Sequence, residues 1–312
     1  MGVQQVRAAF ADNFNKYYDE VAMRADKVSN KDYLKVIAVR TDGSSRVDTS
    51  ELSGIGYLDD VSEGSAMEQG ELIPGYQTAF VHEEKGKTLV LSHQAVEDDE
   101  HNVVTNLTTA GKMIQAGYNT LNKDVATYLY NMFSVAGSDG QYNISASHPI
   151  NSVETGTTYS NLFSGALTYA NLEAAEQQIS QNFKAEDGSY IAEVGGRQLI
   201  IPSTLRQQAF KIMNSVQIPG APDWDKNRYA TNEGKGVLIP YEVVDFRELT
   251  GQSTTAWFIR MVGQDMFRLY MREALHHNAW KENNPVTYNY SVAGRWSINA
   301  TNAREIWGST GA

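Results

Sequence analysis

The feature that most constrains this chain is an uninterrupted helical pattern between residues 96 and 133. Apolar side chains recur there at intervals of three, four and seven residues, which places them on one face of an α-helix. The acidic run Glu97–Glu100 lies at the amino-terminal end, where carboxylates interact favourably with the helix dipole. Such a helix would extend roughly 50 Å, whereas an average helix has about 11 to 12 residues. The pattern therefore predicts one long helix that acts as a strut. Its apolar face consists of Val96, Val103, Leu107, Ile114, Leu121, Val125, Leu129 and Met132.

Residues 36–95, which precede this helix, show a different pattern. Strand-like runs such as Tyr76–Val81 and Thr88–Leu91 alternate with polar segments, and glycines punctuate the whole stretch. The tripeptide Lys85–Lys87 is typical of a turn, so both lysines are predicted to lie at the tip of a hairpin. Large apolar residues are few, and an isolated hairpin is only marginally stable in water. We therefore expect an extended loop that lies on another surface.

The remainder of the chain mixes helical and strand-like segments. A second helix is predicted from Thr168, Gln198–Pro202 is predicted to be a buried strand, and Ser203 is placed to cap the helix that follows. Residues 134–165 and 217–236 are predicted loops. The last third is mostly strand, and no repeat of fixed period is visible. The predicted fold class is α+β. The strand candidates in the last third are Gly236–Pro240, Tyr241–Val244, Thr255–Val262, Val286–Val292 and Arg295–Asn299.

Composition narrows the function classes. The net charge of −11 argues against a protein that wraps nucleic acid directly and suits the wall of a container better. The absence of cysteine excludes disulfides, thiolate metal sites and a cysteine nucleophile. No run of about 18 apolar residues occurs, and no apolar segment follows Met1–Arg7, so we expect neither a membrane-spanning helix nor a secretory signal.

Six histidines are the first candidates for catalysis or metal binding, but none has a recognised zinc-site spacing. His93 and His101 flank the acidic run Glu97–Glu100, which could bind a cation, although a solvated helix start explains the same residues and is favoured. Ser147, beside His148, is predicted to lie in a turn. No candidate serine lies in a Gly-x-Ser-x-Gly turn. We therefore predict no catalytic, cofactor-binding or metal-binding residue. The histidines are His82, His93, His101, His148, His276 and His277, and the candidate serines are Ser92, Ser147 and Ser203.

Two further groups of residues allow both a structural and a functional interpretation. Lys85 and Lys87 either contact an acidic surface of an adjacent subunit or lie in a solvated turn, and composition alone favours the turn. Trp280, Trp296 and Trp307 either fill the core or anchor an interface, since tryptophan is enriched in both places.

The order of these segments, together with four short motifs, resembles the Hong Kong 97-type capsid fold. The chain is similar to tailed-bacteriophage major capsid proteins, and among them to the Mu-like major head subunit group. The resemblance covers nearly the whole chain in element order, and none of the motifs is catalytic. The motifs are Ser147–Ile150, Asn171–Ala175, Leu199–Leu205 and Asn302–Ser309.

The resemblance implies a division of the chain into an arm, a loop and two domains. Residues 1–35 would be an N-terminal arm, and residues 36–95 an extended loop that lies across a neighbouring subunit. Residues 96–164 and 276–312 would form the peripheral domain, with the spine helix at 96–133. Residues 165–275 would form the axial domain around the five-fold and six-fold positions.

The resemblance also implies a function and partners. Many copies, as hexamers and pentamers, would form an icosahedral head in the virion, assembled in the host cytoplasm around double-stranded DNA without sequence-specific contacts. Because only about 35 residues precede the loop, we expect a separate scaffolding protein, together with a portal and possible decoration proteins. We make no prediction of crosslinking, and we expect no enzyme activity, no cofactor and no membrane contact. One alternative is the shell of an encapsulin-like cellular nanocompartment around protein cargo, and another is an enzyme that uses the His93–His101 segment.

Overall fold

The structure, a computed structural model, contains two four-stranded sheets, one long helix and one extended hairpin. The predicted α+β class is confirmed. The described residues are 23–52, 57–58, 60–67, 69, 74–98, 108–153, 156–193, 196–219, 227, 229, 241–284 and 286–312. The helices are α1 (Tyr33–Val36), α2 (His93–Glu97), α3 (Thr108–Asn131), α4 (Tyr169–Asn182) and α5 (Arg206–Asn214). The strands are β1 (Ala38–Thr41), β2 (Arg46–Leu52), β3 (Pro74–Val81), β4 (Glu83–Ser92), β5 (His148–Pro149), β6 (Thr158–Tyr159), β7 (Arg197–Ile201), β8 (Tyr241–Asp245), β9 (Trp257–Met261), β10 (Phe267–Asn283), β11 (Val286–Ala300) and β12 (Ile306–Ser309).

The first sheet has the strand order β1-β10-β11-β4, and α3 packs across one of its faces. β1 runs parallel to β10, and the other neighbours are antiparallel. Gly117 lets the helix approach the sheet, because a Cβ atom at this position would lie 3.0 Å from Leu275 Cδ2. The buried stripe of α3 is the one that the periodicity predicts. Its members are Ile114, Leu121, Val125 and Leu129, continued just past the helix by Met132.

The second sheet has the order β12-β9-β7-β8 and packs against α4 and α5. Every residue of β7 and β9 is buried, as expected for strands with covered faces. Phe163 stacks on Trp257 and Trp307, with ring centroids 5.3 and 5.9 Å apart. β12 pairs with β9, so it belongs to this sheet, although the resemblance assigns the whole segment 276–312 to the other part of the chain. The domain boundaries themselves stay a prediction.

The extended hairpin consists of β2 and β3, which pair only with each other. Its root is attached to the first sheet, since Phe80 is buried against Tyr270 with ring centroids 4.7 Å apart. Among the described residues farther out, Leu58 and Met67 are 97% and 80% exposed. The segment 36–95 does contain an extended hairpin, but its strands are β2 and β3, whereas the predicted partner run Thr88–Leu91 lies in β4 of the first sheet. The bounds of the extended loop stay a prediction. The outer part of the hairpin exposes apolar side chains that no other described residue covers.

The long helix differs from the prediction at its amino-terminal end. Val96 and Glu97 end the separate short helix α2, which Ser92 caps by accepting a hydrogen bond from the Ala95 N–H. α3 is described from Thr108, and its 24 residues extend about 36 Å. The part of the predicted helix at residues 99–107, the whole segment 1–22 and the strand candidate Gly236–Pro240 lie outside the described residues.

One capping prediction is wrong, two predicted strands are one, and one helix starts where the sequence predicts. Ser203 does not cap α5, because a 3₁₀ turn intervenes and the Ser203 hydroxyl donates to Asp245 Oδ1 at 2.7 Å. The two strand candidates between Val286 and Asn299 form one strand, β11. The helix predicted from Thr168 is α4, and Thr168 caps it by accepting from the Asn171 N–H. None of the described helices is long and apolar enough to cross a membrane.

Candidate assembly surfaces

The charge of the extended hairpin is one-sided. Between Arg46 and Lys85 the sequence contains nine acidic residues and neither lysine nor arginine. Asp60 and Glu63 are exposed beside the exposed apolar side chains of Leu58 and Met67. Exposed apolar side chains are unfavourable in water, and carboxylates attract positive charge. The surface therefore suits a partner that is both apolar and basic. The signal was present in the sequence as a long gap between basic residues.

A groove with the opposite character runs between α3 and the edge strand β4. Its volume is about 370 Å³, and three lysines, Lys85, Lys87 and Lys112, line it together with apolar side chains. β4 ends the order of its sheet, so its outer edge pairs with no described strand. We call this surface the lysine groove. Its apolar lining includes Leu89, Met113, Ala116, Leu275, Val292 and Trp296.

The structure corrects the prediction that Lys85 and Lys87 lie at a hairpin tip. Both lie inside β4, where Lys85 is opposite Gly294 and Lys87 is opposite Val292. Gly86 marks a close approach of two strands rather than a turn, because a Cβ atom there would lie 3.1 Å from Ala293 Cβ. The strand places both lysines beside α3.

The three lysines are not equivalent. Lys85 Nζ lies 2.7 Å from Asp124 Oδ2 and 5.8 Å from the centre of the Trp296 ring, so its charge is balanced within the chain. Lys87 and Lys112 are exposed and form no ion pair with a carboxylate in the described part of the chain. These two charges are therefore available to a ligand or a partner.

A buried polar junction joins the two sheets. Glu305, between β11 and β12, lies 2.6 Å from Arg260 Nε on β9. Its second carboxylate oxygen accepts hydrogen bonds from the Met266 and Phe267 N–H groups, which precede and open β10. Burial raises the pKa of Glu305, while Arg260 and the two N–H groups act in the opposite direction. Two of the three connections between the sheets, β9 to β10 and β11 to β12, thus meet at one carboxylate.

Arg304 extends the junction to the loops after α3 and α4. Its Nε donates to the Lys184 carbonyl at 2.6 Å, and its Nη2 donates to the Ile150 carbonyl at 2.5 Å. The guanidinium group also lies 4.9 Å from the centre of the Tyr159 ring and 3.8 Å from Glu186. Arg304 and Glu305 both lie in the motif Asn302–Ser309, but the sequence alone assigned neither of them a structural role.

Among the residues that the structure describes, the candidates for chemistry do not form a reactive cluster, and the expectation that the chain has no reactive site stays a prediction. His148 is fully buried between Asp139, 2.6 Å from Nδ1, and Asn161, 3.0 Å from Nε2, so it cannot activate the exposed Ser147. Its role is to fix the loop that follows α3. His101 lies outside the described residues. Within the described ranges, no cluster of three histidine or acidic side chains could hold a metal ion.

Comparison with known proteins decides the family. A sequence model of the family described as phage capsid protein matches residues 75–271, more than half of the chain. The chain belongs to the phage capsid protein family. The match spans nearly all of the second strand of the hairpin, β4, α3, three strands of the second sheet (β7, β8 and β9) and the first residues of β10. No curated protein matches this capsid protein in sequence.

Solved capsid structures show the same fold. The capsid protein of cyanophage P-SCSP1u superposes with a TM-score of 0.58 at 11% identity, covering 90% of this chain and 88% of that one. The capsid of an empty GTA particle gives 0.54 at 11% identity with 90% of both chains covered. Mycobacterium phage Cain gives 0.52 at 12% identity, covering 90% and 89%. The predicted Hong Kong 97-type fold is confirmed, and membership of the Mu-like group stays a prediction.

Proposed function

We propose that many copies of this capsid protein assemble, as hexamers and pentamers, into an icosahedral head around double-stranded DNA. The observation that carries the proposal is the hairpin of β2 and β3. Its outer residues leave large apolar side chains in water, which is unfavourable for a chain that stays alone. A neighbouring copy removes this cost, and each copy in a closed shell has such a neighbour. The family favours this function over a cellular compartment.

The lysine groove is the surface that best fits the hairpin of a neighbour. The outer hairpin offers Asp60 and Glu63 beside Leu58 and Met67. The groove offers two lysines without ion-pair partners above an apolar floor. Opposite charges at the rim select the partner and its register, while the apolar contact supplies most of the affinity. The functional interpretation of Lys87 as a contact to an acidic surface is therefore our proposal, although Lys87 lies on a strand.

The remaining partners follow from the resemblance and from charge. A net charge of −11 suits a wall that contains DNA without binding its sequence. A separate scaffolding protein, a portal and decoration proteins would act during assembly in the host cytoplasm. The proposed parts are the arm at 1–35, the loop at 36–95, the peripheral domain at 96–164 and 276–312, and the axial domain at 165–275. We propose no catalytic role.

Electron microscopy of the full-length chain tests the function. Expressed with and without a phage scaffolding protein, it is expected to form closed shells or capsomer rings with five-fold and six-fold symmetry. Such particles form because each copy needs several neighbours to cover its hairpin. A monodisperse monomer under every condition would contradict the proposal.

Charge reversal tests the lysine groove separately. The double variant Lys87→Glu, Lys112→Glu is expected to raise the concentration needed for assembly about tenfold, the equivalent of about 1.4 kcal/mol per contact. Adding Asp60→Lys and Glu63→Lys to the same chain is expected to restore assembly, because opposite charges again face each other. Light scattering against protein concentration measures both. If the quadruple variant assembles no better than the double variant while the wild type still forms shells, the lysine groove does not bind the hairpin of a neighbour.

A further inference from the structure

His82 occupies the joint between the extended hairpin and the first sheet. It is the one residue between β3, which ends at Val81, and β4, which begins at Glu83. Its side chain is only 5% exposed. Any movement of the hairpin relative to the sheet must therefore change the surroundings of this ring.

The ring has one hydrogen bond and one buried nitrogen without a partner. Nδ1 lies 3.1 Å from the hydroxyl of Ser297 on β11. Nε2 is buried and has no hydrogen-bond partner in the described part of the chain. A neutral ring that donates through Nδ1 tolerates this, because Nε2 then carries no hydrogen. A protonated ring would place a buried N–H group there without an acceptor, which is unfavourable.

The surroundings of His82 favour its neutral form on balance. Burial lowers the pKa of His82, and the positive charges of Arg295 on β11 and Arg272 on β10 lower it further, while Asp42 opposes them. Glu84 and Glu273 lie opposite Arg295 in the strand register. The site thus favours a neutral ring through three independent features: burial, an unpartnered nitrogen and two adjacent arginines.

Neighbouring contacts show what the joint holds in place. The Asn299 side chain donates to the Ala79 carbonyl at 3.1 Å, and Thr78 Oγ1 donates to the Thr301 carbonyl at 3.4 Å. These bonds join β3 to the end of β11 immediately beside His82. No strand pairing among the described residues supports them, since β2 is the one described strand that pairs with β3.

We propose that His82 is an acid-sensitive latch, which holds the extended hairpin against the first sheet while its ring is neutral and weakens that attachment when it is protonated. The latch is a property of the single chain and does not depend on the proposed shell. In a shell it would couple acidity to the position of the hairpin.

The direction of the pH effect follows from linkage. When the joint opens, the ring reaches water and its pKa returns to the ordinary value of about 6.5. Because the closed joint holds a lower pKa, it is fully favoured above about pH 6.5 and loses stability as the pH falls below that value. Between pH 7.5 and 5.5 the opening equilibrium is expected to shift toward the open joint, by at most about tenfold, the limit for a ring that stays neutral in the closed joint.

Hydrogen exchange on the full-length chain tests this expectation. Protection factors, which correct for the intrinsic pH dependence of exchange, are measured for the amides of residues 78–84 at pH 7.5 and 5.5. In the wild type they are expected to fall on acidification, by up to about tenfold. In His82→Asn, which keeps a polar group near the Nδ1 position but cannot be protonated, they are expected to stay constant. His276→Asn, the same change at an exposed histidine of β10, is the matched control and is expected to behave like the wild type.

Either of two results would overturn the latch. One is a loss of protection on acidification that is equal in the wild type and in His82→Asn. The other comes from nuclear magnetic resonance of the wild-type chain and needs no variant to fold: an imidazole titration of His82 centred at or above about 6.5. A midpoint clearly below that value, together with a change in the signals of residues 78–84 at the same pH, supports the proposal.

Discussion

Replacement of Glu305 by alanine is expected to lower the free energy of unfolding by about 3 to 5 kcal/mol. The variant removes the carboxylate that balances Arg260, whose side chain is 8% exposed, and leaves a buried guanidinium group without its partner. It also leaves the Met266 and Phe267 N–H groups without their acceptor. Denaturant unfolding of the unassembled chain, followed by circular dichroism, measures the change.

Two controls separate the buried charge from the general cost of a substitution. Asp48→Ala removes a carboxylate paired with Arg46 on the surface, where both side chains are more than half exposed, so the loss is expected to be below about 1 kcal/mol. The double variant Arg260→Met, Glu305→Leu removes both charges and is expected to recover only part of the loss, because the two N–H groups still lack an acceptor. If Glu305→Ala is no more destabilising than Asp48→Ala, the junction does not stabilise the contact between the sheets.

Much of the fold was predictable because its strongest elements carry local signals. The periodic stripe of α3, the short apolar strand β7 closed by Pro202 and the capping threonine before α4 each depend on residues within one element. Where the sequence lacked such a signal, the prediction failed. β10 was missed because its outer half is exposed and polar, so the alternation that marks a half-buried strand is absent.

The candidate surfaces were harder to predict, because they depend on pairing between distant segments. Gly86 between two lysines has the composition of a turn, and only the pairing of β4 with β11 shows that the glycine is needed for a close approach. Lys112 joins the same groove from α3, at a distance in sequence that no motif spans. The acidic bias of the hairpin, by contrast, was visible in the sequence and could have been used to predict a basic partner surface.

The hairpin and the groove beside α3 have complementary charge and are both incompletely buried within one chain. α3 covers the first sheet only as far as its buried stripe extends, and the lysine groove opens along its flank toward β4. The hairpin projects from the same sheet at His82, and its acidic side chains complement the lysines of the groove. Such a subunit buries its own core but leaves apolar and charged surface that another copy can cover. Repeated contacts of this kind between copies produce a closed shell.

Replacement of Arg304 by alanine is expected to destabilise the chain by about 3 to 5 kcal/mol, as large an effect as that of Glu305. The loss leaves two carbonyls, those of Lys184 and Ile150, without the guanidinium donor and removes the ion pair between Arg304 and Glu186. Arg304→Lys keeps the charge but cannot donate to both carbonyls in the geometry of a planar fork. We therefore expect the lysine variant to recover less than half of the loss in denaturant unfolding.

Arg206→Ala, which removes an arginine whose side chain is 69% exposed and paired with Asp245, is the matched control and is expected to cost less than about 1 kcal/mol. A lysine variant as stable as the wild type would show that the charge alone matters, and would contradict the assignment of Arg304 as the residue that joins the loops after α3 and α4 through directed hydrogen bonds.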